Sequence, residues 1–413
     1  MNDQPLRQLR RHIPALDGVR GAAILLVISN HLGSALLPPY ANVIDYAAGK
    51  VTGYTWVGVD LFFVLSGYLI TGILSDTRRS EHYFRNFYAR RALRIFPLYY
   101  AFLLAIFILL PRMGLVLPEP DVMHHQTWFW TYLSNFYFAR LGWLPISTGH
   151  LWSLSIEEQF YLLWPVAVLL VSRRALAFSC AILIGLIAVG RAVLVHLGFS
   201  VLQVYLLTPT HLDPLLAGAF VALVVRSPGG IDALMPFARK ALLVAGVLIL
   251  AAPGYKPLLS ISRGLSLDSL NSSNLPFDVQ IQALRYTLDA FFFAALLVLT
   301  LGAEKGVLDR LFGTRILRMF GRFSYAIYLI HVPLHALAET HRLPQRLPII
   351  GGTQLPRAIF YYVVLTAIST LLAVCTWHAL EKHFLKLKDY FPYGPRLKRA
   401  DDLETAREVF AGP

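Results

Sequence analysis

The residues of this chain best suited to chemistry are a histidine and an arginine that lie eleven positions apart. Arg20 and His31 fall in one strongly apolar run, residues 16–37. At about 1.5 Å rise and about 100° per residue, eleven positions place both side chains on one helical face, roughly 16 Å apart along the axis. Ionisable groups at membrane depth face the protein interior or a cavity. The pair predicts a polar track to the membrane centre; a structural histidine satisfied by a neighbouring helix is the alternative.

A basic segment supplies a second candidate site. Arg91 and Arg94 are three residues apart, so both side chains can face one direction on a helix. Guanidinium groups suit phosphates because each presents a planar set of donors. Phosphate binding and anchoring to lipid headgroups both account for this pair.

A polar stripe follows further along the chain. Four of its residues are spaced by three and four, and so share one helical face: His150, Ser153, Glu157 and Tyr161. Glu158 points about 100° away. Two adjacent acids in an apolar run need partners, such as an arginine, His31 or a hydroxylated ligand. A buried structural ion pair is the alternative.

Other apolar runs carry isolated polar residues. Asp60 and Asp213 lie near the outer ends of their runs, where Asp60 also fits a structural role. Tyr328 and His331 lie close to one face of a later run, and His331 is a second embedded histidine. Gly67 is expected to serve helix packing, as small residues in membrane helices commonly do. No spacing of His, Asp and Glu matches a metal-ligand pattern, so no metal is expected.

The elements that must position these residues are membrane-length helices. Hydrophobic residues make up 56% of the 413 positions and charged residues 15%, which is too apolar for a soluble domain of this size. A run near 20 residues crosses a hydrocarbon core of about 30 Å. The sequence therefore predicts an all-α, polytopic integral membrane protein with about ten transmembrane helices, at 16–37, 55–74, 95–111, 150–171, 175–197, 211–225, 241–253, 283–302, 319–338 and 359–380.

Basic residues fall on alternate loops. They gather before the first run and after each even-numbered run, which predicts that both termini are cytoplasmic. The net charge of +13 reflects this topology and anionic headgroups, so no nucleic-acid partner is expected. We predict one membrane-embedded domain, residues 1–390, and a charged cytoplasmic tail without fixed structure, residues 391–413.

Five motifs, taken together, resemble acyltransferase family three, the integral-membrane acyltransferases of extracytoplasmic glycans and some small molecules. They occur in the expected order across residues 15–384, at 16–22 with His31, 58–68, 91–99, 150–161 and 324–331. Some members carry an additional hydrolase-like domain, which we do not expect here.

The resemblance implies an O-acyltransferase of the bacterial inner membrane. An acyl group, with acetyl expected, would pass from cytoplasmic acyl-CoA to a hydroxyl of an extracytoplasmic saccharide such as O-antigen or exopolysaccharide. Acyl-CoA would be a co-substrate, with no permanently bound cofactor. Membrane lipids and the hydroxylated acceptor are the other expected partners.

The resemblance also implies roles for the residues identified above. His31 would act as general base or as covalent acyl carrier, and Glu157 would assist by orienting the sugar. Arg20, Arg91 and Arg94 would hold coenzyme A. The expected acceptor-binding residues are Asp60, His150, Ser153, Tyr161, Asp213, Tyr328 and His331.

Two other classes of function compete with this interpretation. A transporter of glycans or lipid-linked sugars would explain the outer polar residues without covalent chemistry. Such a carrier does not need an arginine pair aligned with an embedded histidine. A receptor or scaffold is disfavoured by the number of ionisable groups placed within apolar runs.

Overall fold

The computed structural model describes residues 13–32, 42–115, 119–145, 147–262, 276–302 and 306–393, without the side chains of 31, 32, 43, 250–262 and 276–283. These residues form helices and no strand; one isolated β-bridge joins Ile350 and Thr353. The long helices are α1 (Pro14–Leu32), α2 (Gly58–Thr77), α3 (Tyr83–Leu104), α4 (Leu151–Leu170), α5 (Arg173–His196), α6 (Asp213–Val225), α7 (Met235–Ser262), α8 (Pro276–Gly302), α9 (Arg315–Thr340) and α10 (Leu355–Thr376).

Shorter helical pieces connect these long helices. The α-helical pieces are Val43–Tyr54, Leu110–Arg112, Pro120–His124, Thr127–Trp130, Ser134–Leu141, Val201–Leu206, Val307–Phe312, Leu343–Arg346 and Lys382–Lys386. Turns of 3-10 helix occur at Thr55–Val57, Thr208–Thr210 and Leu387–Tyr390, and π-helical turns at Ala105–Leu109 and Trp377–Glu381.

The predicted all-α membrane architecture is confirmed in its main features. Each of the ten predicted apolar runs overlaps one long helix, in chain order. Among the described residues, five helical stretches are long and apolar enough to cross a membrane: Ile44–Thr77, Tyr83–Arg112, Arg173–His196, Leu284–Gly302 and Leu355–Tyr390. Residues 33–37 of the first predicted run lie outside the described residues.

Local sequence explains where several helices begin. Ser172 caps α5, because its hydroxyl accepts a hydrogen bond from the Ala175 amide. Pro214 and Pro356 stand in the first turns of α6 and α10, where a missing amide donor costs no helical hydrogen bond. Pro97 lies inside α3, and membrane helices tolerate such internal prolines.

Glycines let two pairs of long helices pack with their backbones in contact. Helices α1 and α9 cross at Gly21 and Gly321, and α2 and α6 cross at Gly67 and Gly218. A Cβ atom on Gly67 would lie 1.9 Å from the carbonyl oxygen of Leu215. No real contact is this short, so the helices can approach only because the side chain is absent. The predicted packing role of Gly67 is confirmed.

Substitution of Gly67 by alanine is therefore expected to destabilise the protein. The added methyl group must push α2 and α6 apart, and overpacking of this kind costs about 1–3 kcal/mol. The measurement is the thermal unfolding temperature in detergent. Gly185→Ala on α5 is the matched control, because a Cβ there meets no atom within 4 Å. Equal unfolding temperatures for the two variants would contradict the predicted cost of separating the helices.

Candidate active site

Two cavities lie side by side among the helices. The first, here called the central cavity, has the polar lining Arg20, Ser66, Arg91, Arg94, Ser153, Glu157, Glu158, Tyr161, Ser324, Tyr325 and Tyr328. The second, here called the basic cavity, has the polar or aromatic lining Asp17, Arg20, Arg94, Arg315, Arg318, Arg322, Phe323, Tyr325, Trp377, Glu381 and Lys388. Arg20, Arg94 and Tyr325 line both cavities, so the two spaces share a wall.

The carboxylate of Glu157 lines the central cavity among other polar side chains. The Ser66 hydroxyl on α2 donates a hydrogen bond to Glu157 Oε1 on α4. The Tyr161 hydroxyl, one turn along α4, donates to the same oxygen at 3.2 Å. The stripe predicted from the spacing of three and four is confirmed for Ser153, Glu157 and Tyr161, which all line this cavity. Glu157 is thus held by two hydroxyl groups beside the space a ligand can enter.

Three arginines face the same space. Arg91 and Arg94 both line the central cavity from adjacent turns of α3, as their spacing predicted, and Arg20 reaches it from α1. Arg91 Nε is buried and has no hydrogen-bond partner among the described residues. Guanidinium groups placed around a cavity in this way are suited to an anionic ligand.

A hydrogen-bonded cluster ties α4 to α9 next to the cavity. The hydroxyl oxygens of Ser153 and Tyr328 lie 2.5 Å apart, and the Tyr328 hydroxyl donates to the backbone oxygen of His150 at 2.9 Å. The imidazole rings of His150 and His331 are buried, with centroids 5.8 Å apart. The structure thus brings together four of the predicted acceptor-binding residues, of which Ser153 and Tyr328 line the cavity.

The candidate general base is His31, of which the structure describes only the backbone. His31 lies on α1, the same helix as Arg20, so the eleven-residue spacing runs along one continuous helix as predicted. The side chain of His31 lies outside the described residues.

The predicted acceptor-binding acids Asp60 and Asp213 are located elsewhere. Asp60 Oδ1 lies 2.9 Å from His211 Nε2, and both side chains are fully buried. Asp213 accepts two hydrogen bonds from Arg191, at 2.9 and 2.8 Å, and one from Thr287 at 2.9 Å. Neither acid lines the central or the basic cavity. These contacts favour a structural role, since buried charges require close partners.

Four polar residues that line the central cavity were not among the predicted site residues: Ser66, Glu158, Ser324 and Tyr325. No role was predicted for Ser66, although a hydroxyl within an apolar run was an available signal. Glu158 was set apart from Glu157 by about 100° of helical rotation, yet both line the cavity. The cavity accommodates both acids because its lining extends from α2 across to Arg91 and Ile95 on α3.

The chain was compared with known protein families. A family profile described as "Acyltransferase domain" matches residues 13–378, which is most of the chain. The chain belongs to this acyltransferase family. Membership confirms the resemblance inferred from the five motifs.

Individual members of the acyltransferase family are moderately similar to the chain. YrhL of Bacillus subtilis is 30% identical over 404 residues, covering 91% of this chain and 55% of the relative. The peptidoglycan O-acetyltransferase OatA of Listeria monocytogenes is 29% identical over 354 residues, covering 80% and 50%. The O-acetyltransferase OatA of Staphylococcus aureus is 25% identical over 392 residues, covering 90% and 57%. The chain therefore spans about half the length of these relatives. No solved structure matches the chain.

Proposed function

We propose that this chain is a membrane-bound O-acyltransferase that moves an acyl group, with acetyl expected, from acyl-CoA to a hydroxyl of a saccharide. The observation that carries the proposal is the wall shared by the two cavities. Arg20 and Arg94 connect a strongly basic space with the space that contains Glu157. A polyanionic donor can thereby place its reactive end beside a carboxylate and hydroxyl groups.

The donor is proposed to enter through the basic cavity. Coenzyme A carries several phosphates at its nucleotide end and a thioester at the other. Arginines form charge-assisted, often bidentate contacts with phosphate. Arg91 and Arg94, together with Arg20, would hold the phosphates nearest the thioester, so that the acyl group extends into the central cavity.

The chemistry proposed for the central cavity is attack of an acceptor hydroxyl on the thioester carbonyl. A new C–O ester bond forms, the C–S bond breaks, and the proton of the hydroxyl finally reaches the coenzyme A thiolate. Two roles fit His31 in this reaction: general base for the hydroxyl, or nucleophile that carries the acyl group between the two substrates. Glu157, positioned by Ser66 and Tyr161, would orient the acceptor.

The acceptor is proposed to be an extracytoplasmic saccharide. The Listeria monocytogenes relative is named for peptidoglycan, and O-antigen and exopolysaccharide belong to the same chemical class of hydroxylated polymers. We further propose ten membrane crossings in the bacterial inner membrane, with both termini cytoplasmic. The alternation of basic loops and the overlap of ten long helices with the apolar runs support this topology.

The test uses sealed vesicles of known orientation that contain the purified protein and a saccharide acceptor. Acyl-CoA is supplied either to the face that carries the chain termini or to the opposite face. We expect transfer only from the first, because the basic cavity lies at the end of the bundle where α1 and α9 begin. Equal transfer from the opposite face would refute the arrangement, and binding of glycan without any ester product would favour a transporter.

Two substitutions should separate donor binding from acceptor use. Arg94→Ala is expected to weaken acyl-CoA binding roughly ten- to a hundredfold, since contacts to charged groups contribute about 1.5–3 kcal/mol. Glu157→Gln is expected to impair acceptor use while acyl-CoA affinity stays unchanged. Calorimetric titration with acyl-CoA and initial rates at varied acceptor concentration provide the two measurements.

Matched variants sharpen this comparison. Arg94→Lys should restore donor binding only in part, because lysine lacks the planar fork of guanidinium. Arg79→Ala removes an exposed arginine that lines neither cavity, and donor affinity should be unchanged. Equal donor affinity in Arg94→Ala and Arg79→Ala would assign Arg94 to headgroup anchoring.

A further inference from the structure

The basic cavity has a wall of arginines that the roles described above do not use. Arg315, Arg318 and Arg322 are spaced by three and four, so one face of the first turns of α9 presents all three. None of them forms a salt bridge with a residue that the structure describes. The guanidinium of Arg322 lies 4.9 Å from the ring centroid of Trp377, which limits its movement.

The end of α10 and the segment after it form the facing wall. Trp377 and Glu381 are one turn apart, and Lys388 lies in the short helical turn Leu387–Tyr390 that comes later in the segment. This segment is fixed from outside the cavity by Arg90, whose Nη1 donates to the backbone oxygens of Lys388 at 2.8 Å and Phe391 at 3.1 Å. The guanidinium of Arg90 also lies over the ring of Tyr393. Residues 394–413 of the predicted tail lie outside the described residues. Arg90 is thus a positioning residue for the wall that carries Lys388.

The charges around the cavity are strongly unbalanced. Six basic side chains line it against the two carboxylates of Asp17 and Glu381; the basic residues are Arg20, Arg94, Arg315, Arg318, Arg322 and Lys388. A preference of basic residues for the inner membrane face predicts positive charge in loops, but it does not predict that the charges surround a cavity. A concave basic site of this kind raises the local concentration of anions and favours phosphate groups.

We propose that Arg315, Arg318 and Arg322 bind a phosphate group remote from the acyl group, namely the 3′-phosphate at the nucleotide end of coenzyme A. The inference rests on the proposed function and adds a second phosphate subsite to it. A lipid headgroup could supply the same chemistry. The nucleotide is favoured because the cavity shares Arg20, Arg94 and Tyr325 with the central cavity, and only an extended donor needs that continuity.

The experiment compares two ligands that differ by this phosphate. The full-length protein in nanodiscs of phosphatidylcholine is titrated with coenzyme A and with dephospho-coenzyme A. We expect the wild type to bind coenzyme A about tenfold more tightly, in keeping with one charge-assisted phosphate contact. The double variant Arg315→Gln/Arg318→Gln should lose most of this preference while its affinity for dephospho-coenzyme A stays unchanged. Arg310→Gln is the control, because Arg310 is exposed nearby and lines neither cavity.

Each result either supports the subsite or overturns it. An equal loss of affinity for both ligands in the double variant, or an unaltered preference, would overturn it. If the wild type and Arg310→Gln show the preference in phosphatidylcholine nanodiscs but lose it in phosphatidylglycerol nanodiscs, a lipid phosphate occupies the site instead and the inference is overturned. Acyl transfer from acyl-CoA without any wild-type preference for the 3′-phosphate would overturn the inference and leave the proposed function intact. Absence of any binding or transfer would overturn both.

Discussion

Replacement of His31 by alanine is expected to lower the rate of acyl transfer by about 10²–10⁴, the usual contribution of a positioned general base. The reason is its place on α1, on the helical face that carries Arg20 into both cavities. The variant should still insert and fold, because it loses one side chain and no backbone contact. The measurement is the initial rate with acyl-CoA and acceptor, normalised to folded protein by size-exclusion chromatography and thermal unfolding.

The companion variants distinguish His31 from the other embedded histidine. His331→Ala removes a buried imidazole beside His150 and serves as the comparison, with a smaller loss of rate expected. Near-normal turnover of the His31 variant together with an inactive His331 variant would reverse the assignment. Mass spectrometry of wild-type protein incubated with acyl-CoA alone separates the two roles open for His31, since an acylated histidine is expected only for the covalent carrier.

Replacement of Asp213 by asparagine is expected to destabilise the fold by about 3–5 kcal/mol, because it leaves the buried guanidinium of Arg191 without its counter-charge. Both side chains have no solvent exposure, and the pair is bidentate. Asparagine keeps the shape of the side chain, so the loss of stability arises from the missing charge and not from a cavity. The measurement is thermal and denaturant unfolding in detergent, with activity of the remaining folded fraction as a second readout.

Two further variants control this expectation. Thr287→Val keeps the side-chain volume and leaves the ion pair intact, but it removes a hydroxyl that donates to Asp213 and accepts from Arg191. Its cost should be smaller, about 1–3 kcal/mol for two hydrogen bonds. Arg191→Met/Asp213→Leu replaces the whole pair with apolar side chains and should recover part of the lost stability. Normal unfolding of Asp213→Asn combined with lost acceptor use would instead return Asp213 to the acceptor site.

The helices and several of their faces could be predicted from the sequence because both depend on short-range periodicity. Each apolar run long enough to cross a membrane overlaps a helix, since backbone polar groups in lipid must be satisfied within one segment. The same periodicity placed Arg91 with Arg94, and Ser153 with Glu157, on one side of their helices. Both pairs line the central cavity.

Contacts between distant segments could not be predicted in this way. Helical spacing tells which residues share a face but not which helix lies opposite. It therefore could not show the hydrogen bond between Ser66 and Glu157, which are 91 positions apart. For the same reason the sequence did not show that His211 lies beside Asp60 or that Arg191 pairs with Asp213. Arg315 and Arg318 were interpreted as loop charges, because a cavity wall appears only once α9 stands beside the end of α10.

The crossing of α1 and α9 has a consequence for genetics. A Cβ on Gly21 would lie 1.9 Å from the Leu317 carbonyl oxygen, and one on Gly321 would lie 1.8 Å from that of Asp17. These two helices carry Arg20 on one side and Tyr325 on the other, so a small displacement changes both cavities together. In a random mutagenesis screen scored by phenotype, alleles at these glycines would be indistinguishable from alleles of ligand-binding residues. Immunoblotting for protein abundance in each strain would separate the two classes of allele.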